Sequence, residues 1–176
     1  MFLRVVAVAL VLLVAGCSQP QPGTPAAGED VMPADFAGTV EYGNGSVPPP
    51  YHFEWVVRFD AKTVTVDWTP GYEDVEPWTE AYEIDQAKRA ALYADLRDIG
   101  VFTFEDSPDE GLAGGSIGGV ELVANGERHD TGSLGTSRAG QDVLDEVVTA
   151  VKKVVPADMW TRMEDKQTEW SRQQPQ

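Results

Sequence analysis

The sequence predicts an α+β fold, with helices packed on one face of an antiparallel sheet and a short C-terminal helix added. Residues 51–59 and 63–68 alternate large apolar residues with mostly polar ones around a short turn, which is typical of a half-buried hairpin. The Asn125-Gly126 pair favours a type I′ turn and predicts a second hairpin. Residues 86–99 and 140–155 repeat apolar side chains at helical spacing. The order is therefore strands, helix, strands, helix, and the order of the strands within the sheet remains open.

The N-terminal segment has the pattern of an export signal. Arg4 is the one charge ahead of an unbroken apolar run at residues 5–15. Because a membrane-spanning helix needs roughly 20 residues, this run is too short to span a bilayer and is typical of a signal peptide. The run ends in Val14-Ala15-Gly16-Cys17, which resembles the lipobox of bacterial lipoproteins.

The lipobox resemblance implies removal of residues 1–16 and a diacylglycerol on the sulfur of Cys17. Residues 17–34 are rich in Pro, Gln, Gly and Ala, a composition that favours a flexible tether. We therefore expect a single α+β domain over residues 35–172, held by lipid at the extracytoplasmic face of the cell membrane.

Composition excludes several other classes of protein. The chain has 29 acidic against 13 basic side chains and a net charge of -16, which would repel a nucleic-acid backbone. One cysteine cannot form an internal disulfide, and two histidines are too few for a histidine-built metal site. We expect no nucleic-acid partner and no cofactor.

The first predicted sheet elements precede the helices. Residues 39–42 predict a strand, and the prolines at 48–50 interrupt pairing before the first hairpin begins. Residues 60–62 are expected to form the turn of the first hairpin. Pro70-Gly71 favours another turn, and residues 80–84 predict a short strand after it.

Three helices are predicted. Asp85 is a good N-cap for a helix over Gln86–Ile99, and Gly100 is placed to end it. The second helix, over residues 140–155, ends at Pro156. Asp158 is expected to cap a third, shorter helix that carries Trp160, Met163 and Trp170 on or near one side.

One segment matches a catalytic motif. Residues 114–118 read G-x-S-x-G, the nucleophile elbow of serine hydrolases, which requires Ser116 on a strand-to-helix turn. A strand follows here instead, and His129 and Asp130 are adjacent residues that would point to opposite faces of a strand. We therefore interpret the segment as a glycine-rich entry to the second hairpin.

The two histidines are expected at exposed, outward-facing strand positions. A zinc site needs three or four ligands, and no third histidine or free cysteine accompanies His52 and His129. Neither is predicted to be a metal ligand or a general base.

Two acidic clusters could bind calcium weakly through carboxylate oxygens. Neither has the spacing of an EF-hand loop, so solvated faces are the simpler interpretation. A carboxylate pair from such a cluster could also serve glycoside hydrolysis. The first cluster comprises Glu73, Asp74, Glu76, Glu80, Glu83 and Asp85, and the second Glu105, Asp106, Asp109 and Glu110.

Bulky aromatic residues lie between the first hairpin and the first helix. Trp68, Tyr72 and Trp78 are predicted to lie in a loop, where exposed aromatics often mark a surface that binds protein or sugar. The alternative is that they fold back over the edge of the sheet. Trp160 and Trp170 are expected in the core.

A second resemblance concerns the globular part. The apolar spacing of residues 92–102, 120–129 and 144–151 is similar to that of emfourin-type protease inhibitors, which are small bacterial α+β proteins. No functional residue carries over from that family. The resemblance implies a module that binds a partner.

The sequence thus predicts a non-enzymatic lipoprotein whose domain binds a protein or another envelope component. Two alternatives remain open. One is a hydrolase of envelope polymers that uses a carboxylate pair, and the other is a calcium-stabilised adhesion module.

Overall fold

The computed structural model of the chain describes residues 31–72, 75–105 and 114–174. The predicted signal peptide, Cys17 and most of the predicted tether lie outside these residues. Within the described ranges, no helix is both long and apolar enough to cross a membrane. The predicted α+β fold is confirmed, since a six-stranded antiparallel sheet carries its helices on one face.

The sheet contains both predicted hairpins. Its strand order is β4-β3-β2-β1-β5-β6, in which the first four strands form a meander and β5 pairs with the free side of β1. Asn125 and Gly126 have φ angles of 55° and 76°, as the predicted type I′ turn requires. The strands are β1 Ala37–Gly43, β2 Phe53–Phe59, β3 Thr63–Pro70, β4 Trp78–Glu83, β5 Ile117–Ala124 and β6 Glu127–Asp130.

The three α-helices are α1 Gln86–Ile99, α2 Arg138–Val154 and α3 Ala157–Gln173. Local signals set the bounds of α1 as predicted. The Asp85 carboxylate accepts a hydrogen bond from the Lys88 amide at 2.7 Å, and Gly100 ends the helix with a φ of 91°.

The C-terminal helix differs from its prediction in length and in its cap. α3 has 17 residues, as many as α2, and is not short. Pro156 occupies the N-cap position, so Asp158 lies within the first turn and does not cap the helix. The helix extends because its buried stripe continues through Met163 to the polar side chain of Gln167.

Alternate residues of the strands build the core. Val40, Val57 and Val66 are paired across β1, β2 and β3, and all three are fully buried beneath the helices. α2 contributes a fully buried stripe that includes Leu144 and Val147. Burying each such side chain contributes about 1.5–3 kcal/mol. No helix of the described residues covers the opposite face of the sheet.

A buried arginine fixes the start of the domain. Arg89 on α1 is only 6% exposed, and its Nε donates a hydrogen bond to the Phe36 carbonyl at 2.9 Å. Its Nη2 donates to the carbonyls of Ala34, at 2.9 Å, and Phe36. The guanidinium also lies over the Phe36 ring, 5.8 Å from its centroid.

Asp35 attaches the same segment to the second hairpin. Its carboxylate accepts hydrogen bonds from the amides of Asn125 at 2.9 Å and Gly126 at 2.6 Å. These bonds, chiefly the one from Gly126, hold the pKa of Asp35 below its usual value. The chain therefore enters at the end of the sheet that carries the 125–126 turn, which we call the entry end. The connection from β1 to β2 lies at the opposite end, about 20 Å away along a seven-residue strand.

We expect Arg89→Met to lower the free energy of unfolding by about 2–3 kcal/mol, because it removes charge-assisted bonds to two backbone carbonyls. Urea denaturation measures the change. Lys88→Met is the matched control, since Lys88 is exposed on the same helix. A loss in Arg89→Met no larger than that of the control would contradict this account of the chain entry.

Candidate functional site

The side chain of Gln167 on α3 joins three parts of the fold. Its Oε1 accepts a hydrogen bond from the Trp68 indole Nε1 at 3.1 Å. Its Nε2 donates to the carbonyls of His52 at 3.1 Å and Pro50 at 3.4 Å. Ser171, one turn later, also donates to the Pro50 carbonyl. These bonds fix α3 against β3 and against the segment that precedes β2.

A cleft of about 490 Å³ opens beside these contacts, and we call it the α3 cleft. Its volume is within the range of about 300–1,000 Å³ that is usual for small-molecule sites. Aromatic rings line one side and a polar flank of α3 lines the other. The lining residues are Tyr51, Phe53, Trp68, Glu164, Gln167, Thr168, Ser171 and Arg172.

The floor of the α3 cleft rests on a series of packed rings. Phe53 stacks on Trp68 with ring centroids 4.3 Å apart and an interplanar angle of 17°. Phe53 also contacts Tyr42 at 6.2 Å, and Tyr42 stacks on Trp55 at 5.1 Å. Because Trp68 and Trp55 are almost fully buried, this floor is continuous with the core.

One wall of the α3 cleft belongs to the connection between β1 and β2, which we call the 44–52 segment. Its ends are joined by the side chain of Asn44, whose Nδ2 donates to the Tyr51 carbonyl at 2.9 Å. The Oδ1 of Asn44 accepts from the Phe53 amide at 3.0 Å. The ring of Tyr51 is 61% exposed at the mouth of the α3 cleft.

The side chain of His52 also holds the 44–52 segment in place. The imidazole is only 3% exposed and lies face to face with the ring of Tyr72, at a centroid distance of 3.7 Å. Its Nδ1 is 3.1 Å from the Gly45 carbonyl oxygen and its Nε2 is 3.2 Å from Glu54 Oε1. The Tyr72 hydroxyl donates to the Val47 carbonyl at 2.7 Å. The 44–52 segment is therefore held by side chains at several points.

The prediction of exposed, outward-facing histidines is wrong for both residues. His52 precedes β2 and is buried because the ring of Tyr72 covers it and the 44–52 segment packs around it. His129 pairs with Leu122, which places it on the helix-covered side of β6. There it is half-buried and packs edge-on against Phe102 at 5.1 Å.

The predicted aromatic loop is also corrected. Trp68 and Trp78 lie opposite each other in β3 and β4, because β3 continues as far as Pro70 and β4 begins at Trp78, before the predicted strand at residue 80. Trp68 is buried, and Trp78 is half-buried beneath the Lys166 ammonium group, 4.2 Å from the ring centroid. Of the three predicted partner-binding residues, Tyr72 alone keeps a large exposed area, at 49%.

The sequence patterns do not identify Tyr51, Phe53 and Gln167 as residues of the site. Tyr51 and Phe53 were interpreted as positions of one regular strand, whereas Tyr51 ends a short turn of 3-10 helix, Pro49–Tyr51. The proline run was the available signal, since it stops the strand and leaves the ring of Tyr51 outside the sheet. The role of Gln167 had no comparable local signal.

Two acidic residues of the first predicted cluster, Glu80 and Asp85, bond to groups of the protein itself. Glu80 accepts from Arg162 at 2.7 Å and from the Tyr82 hydroxyl, and these bonds hold its pKa below the usual value. Burial and the adjacent Glu80 raise the pKa of Tyr82 to about 12. Asp85 caps α1.

The described residues contain no group of three or more histidine, cysteine, aspartate or glutamate side chains placed to hold a metal. Glu73 and Asp74 of the first predicted cluster lie outside these residues. So do Asp106, Asp109 and Glu110 of the second.

The G-x-S-x-G segment leads into a strand, as the sequence predicted. Ser116 directly precedes β5, and its hydroxyl is 3.0 Å from that of Tyr42. His129 pairs with Leu122, about 20 Å further along β5 at 3.3 Å per residue. The structure does not bring Ser116 and His129 together.

The uncovered face of the sheet carries a second concavity, of about 510 Å³. Gly43 and Gly119 leave room in its floor, and the carboxylates around it include Glu41 and Glu121. Glu121 forms an ion pair with Arg128 at 2.7 Å. This surface has the polar character of the solvated side of a half-covered antiparallel sheet.

The fold and the α3 cleft together define a small α+β protein with a preformed aromatic cleft. No protein-family model matches the chain, and a search of curated proteins finds no match either. The resemblances to bacterial lipoproteins and to emfourin-type inhibitors therefore stay predictions.

We expect Gln167→Leu to lower the free energy of unfolding by about 2–3 kcal/mol, because the buried indole N–H of Trp68 and the His52 carbonyl lose their shared partner. Urea denaturation followed by tryptophan fluorescence measures the loss. Gln173→Leu on the exposed end of α3 is the control. Equal stability of the two variants would show that the buried amide does not fix α3.

Proposed function

We propose that this protein is a lipid-anchored extracytoplasmic binding module whose partner inserts an apolar group into the α3 cleft. The cleft is the observation that carries the proposal. Its aromatic floor is held by packing and by the fully bonded Gln167 amide, so little ordering is needed on binding. Tyr51 offers an exposed ring at the mouth, and tyrosine is enriched in binding hot spots.

The chemistry of the lining favours a protein of the cell envelope as the partner. Rings that provide apolar area lie opposite polar groups on α3, among them Glu164, Thr168 and Arg172. An apolar side chain of a partner would cover the rings while its backbone bonds the polar flank. This combination is usual at the centre and rim of protein interfaces.

The position of the α3 cleft agrees with attachment through the N-terminus. The chain enters the domain at the entry end, and Tyr51 lies at the opposite end of the sheet. A lipid on Cys17 and a Pro-rich tether over residues 17–34 would place the entry end toward the membrane. The α3 cleft would then face away from the bilayer and be open to a partner.

We expect Cys17→Ala to abolish lipidation and to leave the unprocessed precursor, because alanine lacks the sulfur atom to which the lipid would be attached as a thioether. Labelling with a fatty-acid analogue and membrane fractionation of a bacterial host measure both effects. Ser18→Ala is the control beside the modified position. Normal maturation and membrane retention of Cys17→Ala would exclude the anchor.

We expect Tyr51→Ala to reduce capture of the partner about ten-fold or more, since it removes the exposed aromatic anchor of the α3 cleft. The full chain is crosslinked in its native envelope and the products are quantified by mass spectrometry. Val123→Ala is the control, because Val123 is an exposed apolar residue on the uncovered sheet face.

Three outcomes of the capture experiment would contradict the proposed function. One is equal capture by the Tyr51 and Val123 variants, and another is crosslinking to glycan alone. The third is turnover of envelope polymers by the purified chain without any captured protein, which would favour the hydrolase alternative.

A further inference from the structure

A buried titratable group lies between two residues of the α3 cleft. His52 follows Tyr51 of the wall and precedes Phe53 of the floor. Its carbonyl accepts hydrogen bonds from Gln167 Nε2 at 3.1 Å and from the Gly71 amide at 2.8 Å. Its ring is packed within the 44–52 segment, against Tyr72.

Both ring nitrogens of His52 face oxygen atoms that accept hydrogen bonds. The Gly45 carbonyl, at 3.1 Å from Nδ1, can only accept, and so can the ionised carboxylate of Glu54, at 3.2 Å from Nε2. A neutral imidazole carries one N–H and can satisfy only one of them. The doubly protonated ring satisfies both.

We propose that His52 is a proton-dependent latch on the 44–52 segment, which orders the wall of the α3 cleft when the imidazole is protonated. In the protonated state the ring joins Gly45 to Glu54 across the base of the segment. In the neutral state Nε2 presents a lone pair to Glu54 and that bond is lost, while the bond from Nδ1–H to Gly45 persists. The relevance of the latch to ligand binding rests on the proposed function, but the latch itself exists without a ligand.

The imidazole of His52 contacts two other ionisable side chains. Glu54 is the charged group that faces the ring, and Tyr72 is the titratable group stacked on it. The 44–52 segment contains no charged residue. α3 contacts His52 through the uncharged amide of Gln167. An imidazolium also gains from stacking on the Tyr72 ring, through the cation–π attraction.

The direction of the effect follows from the state that is stabilised. Because the Glu54 bond requires a proton on Nε2, it is present when the imidazole is doubly protonated and is lost when the ring is neutral. The carboxylate of Glu54 is 58% exposed, so solvent screens this bond. We expect order in the 44–52 segment to change by about five-fold between the two states.

Two measurements on the full chain in detergent micelles test the latch. ¹⁵N spectra of the imidazole rings report which nitrogens carry protons at pH 5 and at pH 8. Hydrogen exchange, expressed as protection factors, reports opening at the amides of Asn44, Tyr51 and His52, which are bonded within or next to the segment. His129→Gln provides a background in which His52 is the one histidine.

Glu54→Gln is the decisive variant, because an amide at this position can donate to a neutral Nε2 as well as accept from a protonated one. In the parent chain we expect both His52 nitrogens to be protonated at pH 5, and protection of the three amides to fall about five-fold by pH 8. In Glu54→Gln we expect the protection to be the same at both pH values. Amides of the central strands, such as that of Val57, are expected to be unaffected in either chain.

Several results would overturn the latch. Loss of the proton from Nδ1 instead of Nε2 would show that the Gly45 bond is the one that breaks. Equal protection at both pH values in the parent chain, or an unchanged pH dependence in Glu54→Gln, would remove the role of the Glu54 bond. Because no partner takes part in these measurements, failure of the latch is distinguishable from failure of the proposed function.

Discussion

The side-chain amide of Gln167 is the interaction on which the rest of the site depends. Trp68 brings a buried donor to this position, and the 44–52 segment brings two backbone acceptors. A primary amide is the side chain that offers both an acceptor and two donors from one point. With it in place, α3, the cleft floor and the backbone of Pro50 and His52 form one unit. Without it, the indole N–H of Trp68 would be buried without a partner, and the carbonyls of His52 and Pro50 would each lose one of two hydrogen bonds.

The meander determines where this unit lies in the molecule. Phe53 at the start of β2 pairs with Pro70 at the end of β3. This pair lies at the end of the sheet away from the chain entry. Arg89 and Asp35 hold the entering chain at the other end, through bonds to backbone groups. The two ends therefore have different chemistry, since one binds the incoming chain and the other presents tyrosine rings to solvent.

Local signals were sufficient for much of the fold, and long-range ones were not available in the sequence. Asp85 and Gly100 bound α1 by capping, and Asn125-Gly126 set a hairpin by its backbone conformation. The pairing of β5 with β1 and the bond between Trp68 and Gln167, 99 residues apart, depend on tertiary packing. Pro70-Gly71 does mark the end of β3. Trp68 comes before this turn and therefore lies in the strand and not in a loop. The length predicted for α3 was too short because Gln167 continues the buried stripe of this helix. Apolar periodicity does not include a glutamine.

His52 connects the buried Gln167 amide to residues at the surface. Its backbone carbonyl is bonded to the amide, while its ring is stacked under Tyr72 and its neighbour Tyr51 is exposed. A change in the charge of the ring therefore acts on a partly exposed segment that carries Tyr51 at the mouth of the α3 cleft. Because the backbone bonds of His52 do not involve its ring, loss of the ring's bond to Glu54 would leave the bond between α3 and the His52 carbonyl in place. The cleft floor and the cleft wall are thus held by separate interactions, which allows the wall to respond to protons while the floor stays fixed.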